Sequence, residues 1–317
     1  MTTTAAATAA TREALGPTLI RLRQEGLDIV VVDADLGKST SARKFGDEFP
    51  ERFFTFGVAE QNMISAAAGM ATMGHTVFAS TFAVFFEHAF DQLRMSVAQP
   101  RANVKIVSSH GGVSTGEDGA SAQSIEDVAL MSSLMNFRVI VPCDVVEAAA
   151  AVEVAARTPG PFYIRTARPK VPILYTDGAR FELGRADRMR DGTDVTIVAC
   201  GLMIERALRA ADELDGEGIS TRVLNMATVR PLDEGALLGA AQDTGAIVVA
   251  EEHLSHSGLG GMCARALARI YPVPMEFVAV EDRYGESGTS SEVMEIMGLT
   301  AEHIVAAARR AVERKAR

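Results

Sequence analysis

The chain has 317 residues, enough for about two ordinary domains. Hydrophobic residues make up 48% and charged residues 23%, which excludes a disordered chain, because this much apolar surface can offset the entropy lost on folding. A formal net charge of −10 argues against nucleic acid and membrane surfaces as partners, and leaves room only for local basic pockets that take small anions.

Residues 1–10 form an Ala/Thr-rich start without the basic, apolar pattern of a signal peptide, and are read as a disordered tail. Strands are expected at 28–33, 53–56, 76–79, 104–108, 138–141 and 162–166, where β-branched and aromatic residues run together. Ala/Leu/Met-rich helices are expected at 11–25, 60–73, 82–98, 123–135 and 144–156. Residues 63–86 are long enough to cross a bilayer, which takes roughly 20 apolar residues. Gly74-His75 in the middle makes a buried helix, a turn and a buried strand the better reading. A Pro-punctuated stretch, RPKVPILYTDG, follows from residue 168. The alternation then restarts with strands at 194–199, 221–225, 246–250 and 275–280, separated by helices, and ends in a helix from Ala301. Strand–helix alternation predicts an α/β chain of two doubly wound domains: 11–170, a linker at 171–187, and a smaller 188–317. Such sheets bind ligands beyond the carboxyl ends of their strands.

Some motifs fail. Gly37-Lys38-Ser39-Thr40 ends like a phosphate-binding loop, but Val32 stands where that pattern needs its first Gly. Gly258-Leu259-Gly260 hints at a dinucleotide fingerprint, yet Cys263 takes the third Gly position. Cys143, Cys200 and Cys263 lie far apart and make no metal-ligand spacing; they read as buried thiols of a cytoplasmic, reducing compartment.

Three loops stand out. In Gly57-Val58-Ala59-Glu60-Gln61-Asn62-Met63, a carboxylate opens a helix, which the helix dipole alone would explain. In Ser80-Thr81-Phe82-Ala83-Val84-Phe85-Phe86, Phe82 and Phe85 are three apart, on one face of a helix; alone, they read as core. The third, from Ser109-His110-Gly111-Gly112 to Gly116-Glu117-Asp118-Gly119, is Gly-rich and polar after a strand, as close approach to a ligand requires.

Residues 52–94, 103–131, 139–144 and 162–172 together resemble the pyrimidine-binding domain of transketolases, and 181–317 resemble the C-terminal domain of that family. The resemblance implies a thiamine-diphosphate pyrimidine-binding domain followed by a transketolase C-terminal-like domain. No Gly-Asp-Gly motif for Mg²⁺ and the diphosphate is found. The chain therefore resembles the C-terminal subunit of a split transketolase, completed by a separate N-terminal subunit that holds most of the Mg²⁺ site, in an α2β2 heterotetramer. By the same resemblance, Glu60 contacts N1′ of the cofactor's aminopyrimidine and supports the proton shift that activates it. Phe82 and Phe85 flank that ring. His110 contacts substrate, Asp118 reads a sugar hydroxyl, and Arg168, Ser39 and Arg12 bind a sugar phosphate. The implied reaction moves a two-carbon ketol unit from a ketose phosphate to an aldose phosphate.

Two positions depart from the family pattern. His88 stands where many relatives have Tyr, with no role assigned. Ala122 stands where many have His beside the donor sugar, which implies a donor preference moved away from xylulose 5-phosphate. Three rival readings share parts of the pattern: the β subunit of a 2-oxo acid dehydrogenase, a deoxyxylulose-phosphate-synthase-like enzyme, and a non-catalytic regulatory subunit. The Gly-Glu-Asp-Gly loop with Arg168 favours sugar phosphates over the first. The second is normally a single fused chain. Intact Glu60, His110, Asp118 and Arg168 weigh against the third.

Overall fold

The protein is described here by a computed structural model over residues 7–176 and 178–315. Its larger sheet has seven strands, in the order Thr228–Arg230, Arg138–Ile140, Phe162–Arg165, Val104–Ser109, Thr76–Phe82, Ile29–Asp33, Phe53–Thr55. All neighbours run parallel except Thr228–Arg230, which pairs antiparallel with Arg138–Ile140. Central strands such as Ile29–Asp33 and Val104–Ser109 are buried throughout, as a parallel sheet covered on both faces requires. Helix Glu60–Thr72 packs Met63, Ile64 and Ala67 on one face. Helices Leu15–Gln24 and Val145–Arg157 cover the other, with Leu15, Leu19 and Val152 in its core.

The second sheet has five strands, in the order Met275–Val280, Ile247–Leu254, Val195–Ala199, Thr221–Asn225, Asp187–Arg190, of which only the last runs antiparallel. Helices Met203–Gly216 and Ala301–Lys315 pack on one face. Helices Glu234–Thr244 and Leu259–Ile270 pack on the other, through Leu237, Ala241 and Leu267. These last side chains belong to the same apolar cluster as Met63 and Val139. The two sheets thus share one core, and the strand Thr228–Arg230 physically joins the second half to the first sheet.

Several elements depart from expectation. The expected disordered tail, 1–10, is corrected at its end: Thr8–Ala10 is a strand, paired antiparallel with Lys170–Pro172, because that segment offers an open edge to pair with. Residues 1–6 lie outside the described residues. The expected helix 82–98 is broken into Ala83–Phe86, a 3₁₀ turn Glu87–Ala89, Phe90–Gln92 and a π-helical Leu93–Ala98. Such irregular turns recur at functional sites. The expected helix 123–135 shortens to Asp127–Ser133, since Gln123–Ile125 is drawn into contacts with the second half. Two short strands, Asp187–Arg190 and Thr228–Arg230, carry too many charged residues or too few residues to stand out by pattern. Among the described residues, no helix is long and apolar enough to cross a membrane.

Candidate active site

Glu60 is the first residue of its helix, where the dipole favours a carboxylate, and only 5% of it is exposed. No hydrogen bond from the described residues reaches its carboxylate. Its near polar neighbour is His88 Nδ1, 3.6 Å away on an exposed side chain. Gln61 Nε2 donates to the His88 carbonyl at 3.0 Å, which fixes the turn that carries the imidazole.

From His88 the site continues as a row of rings. The Phe85 ring lies 5.9 Å from His88, Phe82 stacks on Phe85 at 5.6 Å and 10°, and His110 stacks on Phe82 at 3.7 Å. The expectation that Phe82 and Phe85 share one helix face is corrected. Phe82 ends the strand Thr76–Phe82 with extended backbone, and Phe85 lies in the short helix that follows. The strand-to-helix turn, rather than helical spacing, brings the rings together.

His110 directly follows the neighbouring strand Val104–Ser109 and adopts φ of +57°, an uncommon conformation for a residue with a side chain. Its Nδ1 lies 2.7 Å from Ser109 Oγ and its Nε2 3.5 Å from Arg12 Nη1. Arg12 can only donate, so we assign Nε2 as acceptor and place the ring proton on Nδ1. Burial, together with the Arg12 and Arg168 guanidiniums, pushes the imidazole pKa down to about 3, so His110 is neutral at physiological pH.

The far end of the row is cationic. Arg12 also donates to the Ser39 carbonyl at 2.8 Å. Burial first, and then the nearby charge of Arg168, lowers its pKa. Arg168 donates to the Thr115 carbonyl and to Glu117, both at 2.7 Å, and lies 3.6 Å from Asp118. Two guanidiniums this close, with only one held by carboxylates, form an anion-binding end. Thus Glu60, His88, Phe85, Phe82, His110, Arg12 and Ser39 follow one another in a row at the carboxyl ends of the parallel strands, and Arg168 with Asp118 joins it through Thr115, whose hydroxyl donates to the His110 carbonyl.

With this geometry in place, the comparisons with known proteins are decisive. The transketolase pyrimidine-binding domain matches residues 7–173, and the transketolase C-terminal domain matches 184–304. The chain belongs to the transketolase family. It is 41% identical, over 92% of its length, to the putative transketolase C-terminal section of Methanocaldococcus jannaschii, of which it covers 93%. It is also 41% identical, over 94% of its length, to the transketolase-like protein 2 of Mus musculus, of which it spans only 48%. Among solved structures, a split-gene transketolase described as an inactive β4 tetramer superposes with a TM-score of 0.89 at 47% identity. That match covers 96% of this chain and 99% of the other.

Transketolases use thiamine diphosphate, and the residues present fit its aminopyrimidine end. A buried carboxylate without a hydrogen-bond donor among the described residues, beside stacked phenyl rings, offers what a flat heteroaromatic ring with a protonable nitrogen needs. Among the described residues no group of three or more His, Cys, Asp or Glu is placed to hold a metal ion.

Sequence reasoning missed two contributors. Glu117, which pairs with Arg168, was passed over for its neighbour Asp118, and Ser109, which holds the His110 ring, was read only as the loop's first residue. Adjacency to His110 was the available signal for Ser109. Ala122 ends a 3₁₀ turn, Ala120–Ala122, on the same loop, and is the buried residue of that turn.

Glu87, beside His88, accepts from Ser124 Oγ at 2.6 Å. Burial pushes its pKa from 4.5 up to about 7 against that bond, with Asp127 and Glu126 adding repulsion. A raised carboxyl pKa stabilises the folded state fully below the unfolded value, and the contribution is lost as pH rises through the folded one. Glu87→Gln removes the titration. The drop in melting temperature between about pH 5 and about pH 8 should therefore shrink in the variant. Calorimetry at the two pH values checks this, and an unchanged drop means that Glu87 titrates as an ordinary surface carboxylate.

Proposed function

We propose that this chain is the C-terminal subunit of a two-chain, thiamine-diphosphate-dependent transketolase that moves a two-carbon ketol unit from a ketose phosphate to an aldose phosphate. The observation that carries the reading is the unbroken row from a buried, unpartnered Glu60 at one end to Arg12 and Arg168 at the other. It pairs a site for the cofactor's pyrimidine with a site for a substrate's phosphate.

When bound, thiamine diphosphate supplies the electron sink for breaking the C2–C3 bond of the ketose. The chain's own residues do the rest. Glu60 holds a proton at N1′ of the aminopyrimidine. Phe82 and Phe85 pack against that ring and exclude water. Neutral His110 offers the Nε2 lone pair to a substrate hydroxyl, and Asp118 reads a second one. Arg12 and Arg168 take the phosphate with Ser39, Arg168 exchanging its bond to Glu117 for the stronger dianion.

The Mg²⁺ and diphosphate site belongs in this reading to a separate N-terminal subunit, in an α2β2 assembly. The relative described as an inactive β4 tetramer supports it, as that assembly lacks a second kind of chain in its description. We divide the chain into a pyrimidine-binding domain that starts at the strand Thr8–Ala10 and runs to about 170, a connecting segment, and a C-terminal domain from about 188. Three buried thiols suit the reducing cytoplasm.

The test is at the phosphate end. Arg168→Ala, in the two-chain enzyme, should raise KM for phosphorylated sugars by about one to two decades and leave unphosphorylated ones little changed, as expected of a charge-assisted hydrogen bond. Steady-state kinetics on paired sugars decide it. Equal losses on both would remove Arg168 from the substrate site and the phosphate from the reading.

A further inference from the structure

The strand Ile247–Leu254 of the second sheet carries three consecutive buried side chains that are costly to bury: Glu251, Glu252 and His253. Glu251 accepts from the backbone of Leu259 and Gly260, both at 2.7 Å, and so anchors the start of a helix in its own half. His253 accepts from the Ala129 amide at 3.3 Å. Glu252 instead reaches into the loop that carries His110, where its Oε1 accepts from the Ser114 amide at 2.5 Å.

Arg165 completes the arrangement from the larger sheet. Its buried guanidinium donates to the Glu252 carbonyl at 2.9 Å and to the Ser124 carbonyl at 3.1 Å, and lies 3.3 Å from Asp127. Asp127 is held in turn by Tyr163 at 2.5 Å. Gly111 and Gly112 rest directly on this pair. A Cβ at Gly111 would strike the Arg165 side chain, and one at Gly112 would strike the Glu252 carboxylate. The loop backbone therefore lies flat on Arg165 and Glu252, with no side chain between them.

The residue on top is His110, in its left-handed conformation. Such a conformation is strained for a residue with a side chain and persists where surrounding contacts over-determine it. Here Thr115 Oγ1 donates to the His110 carbonyl at 2.8 Å, Gly112 donates to the Ser124 carbonyl at 2.7 Å, and Glu252 pins Ser114. Two of these three ties end on groups that Arg165 or Glu252 also holds.

We propose that Glu252, supplied by the C-terminal half, and Arg165 are positioning residues for the active site: together they hold the 110–118 loop so that His110 faces the substrate. This rests on the transketolase reading above for the meaning of "substrate", and makes the second half part of the catalytic apparatus. Glu252 touches no substrate; it acts through Ser114 and the loop backbone.

The experiment uses two variants and two readouts. Glu252→Ala removes the acceptor, while Glu252→Gln keeps an oxygen for the Ser114 amide. Backbone hydrogen exchange, read by mass spectrometry on the chain itself, needs no turnover. In Glu252→Ala it should speed up by about tenfold over 110–118, the equivalent of one hydrogen bond, and stay near wild type in the strand Thr221–Asn225. In the two-chain enzyme, the same variant should raise KM for the donor by about tenfold with thiamine diphosphate affinity unchanged, and Glu252→Gln should lie within about threefold of wild type. In a His110→Ala background, Glu252→Ala should cost less than about twofold more, because the two act as a unit.

Exchange rising equally in 221–225, or donor KM and exchange both unmoved, would overturn the proposal. A loosened loop with unchanged donor KM would overturn it as well, since the tie would then hold nothing the reaction uses. If wild type turns over no ketose phosphate with any N-terminal subunit, the transketolase reading fails on its own, and the exchange result still decides whether Glu252 holds the loop.

Discussion

Glu60→Gln in the reconstituted two-chain enzyme is expected to lower kcat by about 10²–10⁴-fold, the usual worth of a positioned acid–base group. Glutamine keeps the size and the hydrogen-bonding reach of the side chain but cannot share a proton with a ring nitrogen. The substitution is also structurally mild. Glu60 receives no hydrogen bond from the described residues, and the nearby His88 Nδ1 is 3.6 Å away on an exposed side chain. What the fold loses is the dipole interaction at the start of the helix Glu60–Thr72, worth roughly 0.3–1 kcal/mol. Melting temperature should thus move little while turnover collapses. The discriminating measurement is proton exchange at C2 of the bound cofactor, followed by NMR after rapid quench. It should slow in parallel with kcat. Exchange at the wild-type rate would leave Glu60 as a helix-start carboxylate and nothing more.

Much of this site was legible in the sequence, for reasons that differ by residue. The alternation of apolar runs and Ala-rich helices placed the strands Ile29–Asp33 and Val104–Ser109 because parallel strands buried on both faces must be continuously apolar. The loop from His110 to Gly119 stood out because Gly and ionisable residues together are costly without a ligand. The resemblance to transketolases then connected Glu60, Phe82 and Arg168, which no spacing rule could join across more than a hundred residues. What stayed hidden was support that depends on tertiary contact. Glu252 and Arg165 lie 87 residues apart and meet only because the second sheet packs against the first. Arg165 falls within the strand expected at 162–166 and Glu252 lies two residues past the one expected at 246–250, so neither stands out by pattern. The strand at Thr228–Arg230 failed for a related reason: its partner, Arg138–Ile140, lies in the first half of the chain, and three residues before a Pro carry no periodicity.

The largest expected effect is all-or-none. Purified alone, this chain should turn over no detectable ketose phosphate and should bind thiamine diphosphate only weakly; both should appear on mixing with an N-terminal subunit that carries the diphosphate and metal site. In the proposed reading Glu60, Phe82 and Phe85 offer one face to an aminopyrimidine, but among the described residues no group of three or more His, Cys, Asp or Glu is placed to hold a metal ion, and a diphosphate without its cation would meet a chain of net charge −10. Just ahead of Glu60 in the chain, Phe54 is 42% exposed and Val58 is 82% exposed, six and two positions before it. Large apolar side chains left in water beside a half-built site are what an obligate interface buries. Calorimetric titration of thiamine diphosphate with Mg²⁺ into the chain, and then into the mixture, reads the binding. A coupled assay reads the turnover. The mixture should sediment as one heavier species, with Val58→Asp weakening assembly and activity together, because a carboxylate desolvated in an apolar interface is costly where a valine is not. Robust turnover by the single chain, or tight cofactor binding without the second subunit, would overturn both the split-enzyme assignment and the interface drawn around Val58.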